Sequence, residues 1–397
     1  MAEISAGRTS QQTASVAWWR DERKRGLIWQ IVVVAILCVA VWYVIQNMVD
    51  NLRTLGVTLG FDFLDAPAGF AISFSLIPVD LNSTIGRVIV AGMLNTLLAS
   101  AICIVLATIL GLIVGICRLS KNYLISRLAT AYVEALRNVP LLVQLLLWYA
   151  AILQLFPNVR QAISVFGLMF ISQRGVNMPR PIPEDDFGMV GIALLVAIAI
   201  AFAIARWAKS RQMATGQQFP SGWVGLGIIV GLPLVVSLVL GNPVQWEVPE
   251  FKGFNFRGGM VVLPELTAVI IGISAYTASF IAEIVRGGIL AVSHGQTEAA
   301  YALGLRPGTT LRLVIIPQSL RIIVPPMTSQ YLNVVKNTTL VSMVAYPDLY
   351  SVIGTSLNQT GRPVENIAIM MAFFLTISIL ISLFMNWYNK RISLVER

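Results

Sequence analysis

Long apolar runs are the feature that most restricts how this chain can fold. A helix needs ~20 mostly apolar residues to cross a bilayer, and six runs qualify: 27–45, 88–116, 128–156, 187–205, 222–240 and 367–387. Two further segments, 263–285 and 326–346, are long enough but are interrupted by polar residues. The pattern predicts an all-α, polytopic helical membrane protein with about eight transmembrane helices.

The charged residues are few and unevenly distributed. They make up 12% of the chain, whereas soluble domains carry about 25%. Eighteen lysines and arginines fall in alternate loops and the termini, against eight in the remaining loops. The positive-inside rule therefore predicts that both termini are cytoplasmic. The net charge of +9 is then explained by a membrane surface rather than by nucleic acid.

No catalytic or metal-binding pattern is present in the sequence. Cys38, Cys103 and Cys117 lie within or at the ends of apolar runs, without disulfide or metal spacing, and His294 is the single histidine. No Gly-x4-Gly-Lys-Ser/Thr phosphate loop occurs. We predict that the chain is not an enzyme and binds no cofactor or metal, so that any ATP and Mg²⁺ are bound by partner subunits.

The segment 293–325 follows the cytoplasmic end of the sixth predicted span, 263–285. It is not simply polar. Residues 298–303 have high helix propensity, Gly304 is a natural C-terminal cap, and Pro307-Gly308 favours a turn before an apolar stretch that ends at Pro317. The pattern indicates a short helix, a turn and a second helix. Such a projection either fits a groove on a soluble partner or is an amphipathic linker that touches only lipid.

A motif in this segment resembles the cytoplasmic signature of ATP-binding-cassette (ABC) importer permeases. Glu-Ala-Ala-x3-Gly is followed by Val-Ile-Ile-Pro at 314–317, with Val314 and Ile316 where the family usually has Ile and Leu. In that family the loop forms a coupling helix that docks on the ATPase subunit. The resemblance assigns coupling to Gly295, Glu298, Ala299, Ala300, Gly304, Pro307 and Pro317. Glu283 and Arg286 lie beside this loop, at the cytoplasmic end of the sixth span, and we predict that they brace it rather than contact substrate.

Three further motifs, at 92–97, 132–144 and 336–340, resemble the polar amino-acid uptake branch of these permeases. Members have a five-helix core of the type I ABC importer fold, so the first span and the pair between 187 and 240 look like additions. With this extension and insertion the chain is similar to the Q-type permeases of bacterial general L-amino-acid transporters, the alternative being a close relative that serves acidic amino acids and their amides. The resemblance implies an inner-membrane importer subunit for L-amino acids, with two copies of an ABC ATPase, a sister permease and a periplasmic amino-acid-binding protein as partners.

The same reasoning divides the chain into successive segments. They are a cytoplasmic arm (1–26), an extra helix (27–45), a periplasmic loop (46–87), the first part of the core (88–156), an insertion of periplasmic loops and two extra helices (157–262), the second part of the core with the coupling loop 293–325 (263–390), and a cytoplasmic tail (391–397).

Polar side chains inside the predicted spans are candidates for a translocation path or gate. The set is Asn95, Thr96, Glu134, Arg137, Asn138, Gln144, Lys336, Asn337, Thr338 and Thr339. Glu134 and Arg137 share a helix face, and Pro140 predicts a bend beside them. They form either a gate or a static ion pair, whereas Asn95, Thr96 and the Gly111-x3-Gly115 motif are as readily explained by helix packing.

Three other classes of function compete with the importer subunit. An ion-driven secondary amino-acid transporter would need no ATPase and would show internal symmetry between halves, which this sequence does not show. A membrane enzyme would need a catalytic constellation, and a structural scaffold leaves Lys336 at mid-depth unexplained.

Overall fold

The computed structural model describes residues 22–54 and 60–392 and is dominated by helices. The predicted cytoplasmic arm and tail therefore lie largely outside the described residues. Twelve α-helices occur in the described part of the chain: α1 Glu22–Thr54, α2 Ile85–Arg118, α3 Tyr123–Asn138, α4 Leu141–Leu155, α5 Phe187–Thr215, α6 Ser221–Val239, α7 Pro264–Leu290, α8 His294–Ala302, α9 Pro307–Thr310, α10 Ile316–Asn337, α11 Leu349–Thr360 and α12 Pro363–Ile392.

Six of these helices are long and apolar enough to cross a membrane: α1, α2, α5, α6, α7 and α12. The helices α3 and α4 satisfy the test together but meet at an angle of 107°, which gives up to seven spans. The bend falls at Pro140, as predicted from its missing N–H. The all-α membrane fold is confirmed, and the helix predicted at 326–346 has different bounds.

That helix, α10, begins earlier and ends earlier than the sequence indicated. It continues from α9 through a wider turn at Leu311–Ile315, where the Ile316 N–H donates five residues back to the Leu311 carbonyl, directly before Pro317. It ends at Asn337 and is followed by a 3₁₀ segment, Thr338–Val344. The hydroxyl of Thr339 donates to the Lys336 carbonyl at 2.8 Å, and such local bonds compete with helix propagation.

The core is formed by helices from both parts of the chain. One cluster joins Ala99 and Cys103 of α2 and Leu145 of α4 to Ile273 of α7 and the 3₁₀ segment. A second joins α2 to α11, and a third joins α2 and α7 to α10 and α12. Because α7 contacts α2, α3, α4 and α10, it is the central helix of the bundle.

The segment 157–262 contains structure that the sequence reasoning missed. Eight short strands flank the helical hairpin α5–α6: β1 Ile163–Val165, β2 Met169–Ser172, β3 Gly175–Met178, β4 Arg180–Pro183, β5 Val244–Glu247, β6 Glu250–Lys252, β7 Asn255–Arg257 and β8 Met260–Val262. They form one sheet in the order β1-β2-β3-β8 and two hairpin-like pairs, β4-β5 and β6-β7. We call residues 157–183 and 244–262 the β-cap.

The β-cap fixes both ends of the α5–α6 hairpin on one side of the molecule, because β3 pairs with β8 and β4 pairs with β5. The hairpin packs through small residues, with Gly225 of α6 against Ala201 of α5. Most of its remaining side chains are exposed, as are those of the apolar stretch of α1. These surfaces are as apolar as lipid tails, which suits a bilayer environment.

Candidate functional site

The loop between α7 and α10 begins with α8, whose end is defined by Gly304. The N–H of Leu305 donates to the Ala300 carbonyl at 3.1 Å, and the N–H of Gly304 donates to the Tyr301 carbonyl at 2.9 Å. This pair of bonds, with Gly304 at φ +77°, is a Schellman cap. Glycine adopts this backbone without the cost of a Cβ, so the predicted C-terminal cap is confirmed.

The surface of this loop is unusually apolar for an exposed projection. Leu303 is 81% exposed and Leu313 is 63% exposed, with Tyr301 and Leu311 about half exposed. Contiguous exposed apolar side chains mark interaction surfaces. Of the predicted coupling residues, Gly295, Glu298, Ala299, Gly304 and Pro307 are exposed, Pro317 is half-buried and Ala300 is buried.

Two residues of the loop have local structural roles. Glu298 contacts the imidazole of His294 at 3.0 Å, one helical turn away. Pro307 occupies the first turn of α9, where its missing N–H is not needed. A broad depression of about 520 Å³ follows, lined by Arg306, Gly308, Thr309, Arg312 and Leu313.

A cluster of charges lies at the end of α7 that leads into this loop. The Glu283 carboxylate accepts hydrogen bonds from Arg118 of α2 and from Arg286, the latter at 2.6 Å. Arg137 of α3 is 3.9 Å from the same carboxylate. Glu283 therefore links α2, α3 and α7 directly before the loop. Sequence reasoning paired Glu283 only with Arg286, because contacts between helices leave no spacing signal.

The predicted interaction between Glu134 and Arg137 is wrong. The Arg137 guanidinium lies over the Phe280 ring at 5.0 Å and approaches Glu283 instead. Glu134 is exposed and has no ion pair within 4 Å among the described residues. A shared helix face allows a contact, but the half-buried carboxylate and ring on α7 offer Arg137 a less hydrated position. Asn138, at the end of α3, is exposed.

Gln144 closes the bend between α3 and α4. Its amide nitrogen donates to the carbonyls of Leu136 and Val139, at 2.8 and 2.9 Å. Gln144 is only 4% exposed, and the break at Pro140 leaves such carbonyls without helical partners. The side chain thus satisfies backbone groups that would otherwise be unpaired at this depth.

Asn95 and Thr96 tie α2 to the irregular segment before α11. The Asn95 amide nitrogen donates to the carbonyls of Phe74 and Pro347, both at 2.8 Å. The Thr96 hydroxyl accepts from the Leu349 N–H at 3.0 Å. Both side chains are fully buried, so in this structure they pack and fix the backbone, which was one of the two roles weighed for them.

The predicted polar residues Lys336 and Asn337 lie on an accessible face at the end of α10, whereas Thr338 and Thr339 begin the 3₁₀ segment. Lys336 is exposed and Asn337 is half-buried, while the hydroxyl of the buried Thr338 donates to the Val335 carbonyl at 2.7 Å. A cavity of about 170 Å³ separates this face from α7 and is lined by Tyr276, Thr277, Phe280, Gln330, Asn333 and Asn337. Sequence reasoning missed Gln330 and Asn333, although their spacing from Asn337 places all three on one helix face.

The helical bundle, the exposed apolar loop and the polar face of α10 are together typical of a polytopic membrane transport subunit. Residues 190–394 match the family described as binding-protein-dependent transport system inner membrane component. The chain belongs to this family, the permease subunits of ABC transporters, which are not themselves enzymes because partner subunits hydrolyse ATP. It is accordingly a multi-pass inner-membrane protein.

Three amino-acid ABC transporter permeases are similar to this chain over almost its whole length. The putative amino-acid ABC transporter permease protein YhdX of Escherichia coli (strain K12) is 48% identical, covering 94% of this chain and 95% of the relative. The general L-amino acid transport system permease protein AapQ of Rhizobium johnstonii is 47% identical, covering 95% and 94%. The glutamate/glutamine/aspartate/asparagine transport system permease protein BztB of Rhodobacter capsulatus is 40% identical, covering 95% and 96%.

Among solved structures, a crystal structure of an amino acid ABC transporter with histidines is 20% identical. It aligns with 79% of this chain and 100% of that chain, with a TM-score of 0.46.

Proposed function

We propose that this permease imports L-amino acids into the cytoplasm, paired with a sister permease, driven by two copies of an ABC ATPase and supplied by a periplasmic binding protein. The amino-acid substrate is supported by the names of the relatives, each of which refers to amino acids as the transported substrates. The uneven distribution of lysine and arginine supports cytoplasmic termini. The similarities give no support to an ion-coupled secondary transporter.

The observation that carries this proposal is the exposed apolar surface of the loop 293–315. Leu303 and Leu313 would be costly to leave in water, and a groove on the ATPase would cover them. The space around Gly304 is also open, since no heavy atom lies within 4 Å of a Cβ built there. In our proposal the ATPase approaches the backbone closely at this glycine.

The substrate path is proposed to follow the polar face of α10. Amide groups of Gln330, Asn333 and Asn337 meet Tyr276 and Phe280 across the small cavity. Such a polar face is unfavourable against lipid, which supports a water-filled path or a contact with the sister permease.

Charged residues on this side would match a zwitterion. Lys336 lies next to Asn337, and Arg137 lies over Phe280, while the exposed Glu134 is on the same helix as Arg137. Lys336 and Arg137 would attract the substrate carboxylate and Glu134 the ammonium group.

The coupling role is tested with Gly304→Leu in the complete transporter. We expect normal membrane insertion, loss of ATP-driven amino-acid uptake and weakened co-purification of the ATPase. Gly216→Leu is the matched control, because Gly216 caps α5 at φ +71° and also has no heavy atom within 4 Å of a built Cβ. Both variants carry the same backbone strain, about 1–2 kcal/mol, so equal uptake by the two would count against docking at Gly304.

The path is tested with Lys336→Ala and Glu134→Gln. Uptake and ATPase activity are measured on the same proteoliposomes, and we expect reduced uptake in both variants while the ATPase remains active. Lys209→Ala, on the exposed α5–α6 hairpin, controls for the loss of a positive charge. Wild-type uptake by both path variants would refute this assignment.

A further inference from the structure

A second cavity lies at the opposite end of α7 from the loop 293–315. α7 has 27 residues, which at 1.5 Å per residue is about 40 Å. The cavity has a volume of about 480 Å³, within the range of small-molecule sites. Its walls come from the β-cap, the end of α4, the loop before α2 and the first turn of α7. The apolar part of the wall is formed by Leu153, Val261, Leu263 and Pro264.

Two opposite charges line this cavity without neutralising each other. Arg174 and Glu265 both contribute to the wall, and no ion pair within 4 Å joins either of them to another described residue. One Glu265 oxygen, Oε1, accepts a hydrogen bond from the Tyr149 hydroxyl at 3.1 Å. The other oxygen, Oε2, is buried and has no hydrogen-bond partner among the described residues. An ionised oxygen in that position is costly unless a cation or donor pairs with it.

A buried amide also lacks a partner there. Asn177 of β3 lines the cavity and is 4% exposed. Its backbone pairs with Val261 of β8, but its side chain makes no hydrogen bond to any described residue. Buried polar atoms are nearly always hydrogen-bonded, so the unpaired Glu265 Oε2 indicates a ligand, and Asn177 offers an unpaired amide on the same wall. Gln173 and Asn255 add further amide groups to the wall.

The position of Arg174 is fixed by the backbone. Ser172 pairs with Gly175 across the β2–β3 turn, so Gln173 and Arg174 form the two-residue loop. Gly175 has φ +112°, and a Cβ there would collide with the Val262 carbonyl oxygen. Glycine is therefore required for β3 to lie against the residues that lead into α7. This contact holds the guanidinium and the Glu265 carboxylate on the wall of one cavity.

We propose that this cavity binds the zwitterionic backbone of an α-amino acid, with Arg174 at the carboxylate and Glu265 at the ammonium group. The planar guanidinium suits a carboxylate, and the free Glu265 oxygen would gain a charge-assisted hydrogen bond. The amides of Asn177 and Asn255 would complete the polar contacts, and the apolar wall would face the substrate side chain. The proposal rests on the proposed amino-acid import and places an entrance site on the extracytoplasmic side, before the path along α10.

Equilibrium binding to the purified complete transporter tests the proposal, without ATP and without the binding protein. The probe is radiolabelled L-alanine, which has both charged groups and only a methyl side chain. We expect Arg174→Gln and Glu265→Gln each to weaken binding at least tenfold. The controls remove charges of the β-cap that lie outside the cavity wall. They are Arg160→Gln, where the native arginine stacks on Phe254 at 5.2 Å, and Glu250→Gln, where the native carboxylate pairs with Lys252 at 2.8 Å. These controls should bind as the wild type does.

Ligand analogues show which charge each residue recognises. L-Alaninamide lacks the carboxylate, so Arg174→Gln should weaken its binding no further, whereas Glu265→Gln should still do so. L-Lactate lacks the ammonium group and should show the reverse pattern. If each substitution weakens L-alanine and both analogues equally, Glu265 serves only Tyr149 and the first turn of α7, and the proposal is overturned.

Uptake by proteoliposomes separates this inference from the proposed function. If the wild-type transporter with its binding protein and ATPase imports none of a mixture of labelled L-amino acids, the proposed function fails. If it imports them, and Arg174→Gln and Glu265→Gln bind L-alanine as the wild type does, only the entrance site fails. Arg174→Lys keeps the charge but not the planar fork, and we expect its binding to be intermediate.

Discussion

The packing of α2 against α7 should not accept a single methyl group at Gly111. A Cβ there would lie 2.5 Å from Cγ2 and 2.6 Å from Cβ of Ile281, whereas carbon atoms in ordinary contact are ~3.5–4.0 Å apart. Ile281 is fully buried and β-branched, so its rotamer in a helix is fixed. The helices must separate by roughly 1 Å, and overpacking of this kind costs about 1–3 kcal/mol.

The assay compares Gly111→Ala with Gly227→Ala in the purified transporter, by thermal unfolding followed through tryptophan fluorescence. Gly227 is inside α6 and has no heavy atom within 4 Å of a built Cβ. Both substitutions gain the same helix propensity, about 0.5–1 kcal/mol, so the difference between them isolates the collision. We expect Gly111→Ala to unfold at a clearly lower temperature and Gly227→Ala to match or exceed the wild type.

The double variant Gly111→Ala/Gly115→Ala sharpens the test. A Cβ at Gly115 would lie 2.9 Å from the Ala282 carbonyl oxygen and from Val285 Cβ, on the same helix pair one turn away. Once the first methyl group has separated the helices, the second should cost less. The stability losses of the two single variants should therefore sum to more than the loss in the double variant. Equal unfolding temperatures for Gly111→Ala and Gly227→Ala would refute the reasoning.

Two further predictions concern polar contacts that tie α2 and α7 to neighbouring segments. Glu283→Gln should lower the free energy of unfolding by about 1–3 kcal/mol, because Arg118 and Arg286 lose their ionised partner. It should also reduce amino-acid uptake per ATP hydrolysed. Thermal unfolding and uptake are measured beside the control Glu250→Gln, and wild-type values for Glu283→Gln would contradict the prediction. Asn95→Leu keeps the volume but leaves the Phe74 and Pro347 carbonyls without a donor, at about 1–3 kcal/mol for each. The matched control is Asn366→Leu, a buried amide that donates only to Thr360 and Arg362 in the short connection between α11 and α12. Thermal unfolding should show the larger loss at Asn95, which joins segments far apart in sequence.

The features that the sequence predicted well are local in the chain. The apolar runs indicate the spanning helices, the proline at 140 indicates the bend between α3 and α4, and the glycine at 304 indicates the end of α8. Each depends on the backbone preferences of one or two residues, which act whatever surrounds them. The resemblance to ABC permeases likewise depends on short contiguous motifs.

The features that it missed depend on segments that are distant in sequence. Arg137 selects Glu283 over Glu134 because α3 packs against α7, and no local spacing encodes that choice. The β-cap was missed because its strands have only three or four residues and β3 pairs with β8 across an inserted helical hairpin. In the sequence only β3 alternates (Gly175-Val176-Asn177-Met178), whereas β2 begins with three successive apolar residues, so no period-2 pattern runs through the hairpin.

One helix connects every part of the proposed mechanism. α7 begins at Pro264 on the wall of the β-cap cavity, lines the α10 cavity through Tyr276 and Phe280, and ends at Leu290, three residues before α8. Between the two cavities α7 is continuous and contains no interior proline. If the ATPase moves the loop 293–315, the resulting motion of α7 must change the two cavities together. The Glu283 contacts with α2 and α3 lie between that loop and both cavities, so a motion of α7 relative to these helices would have to break them.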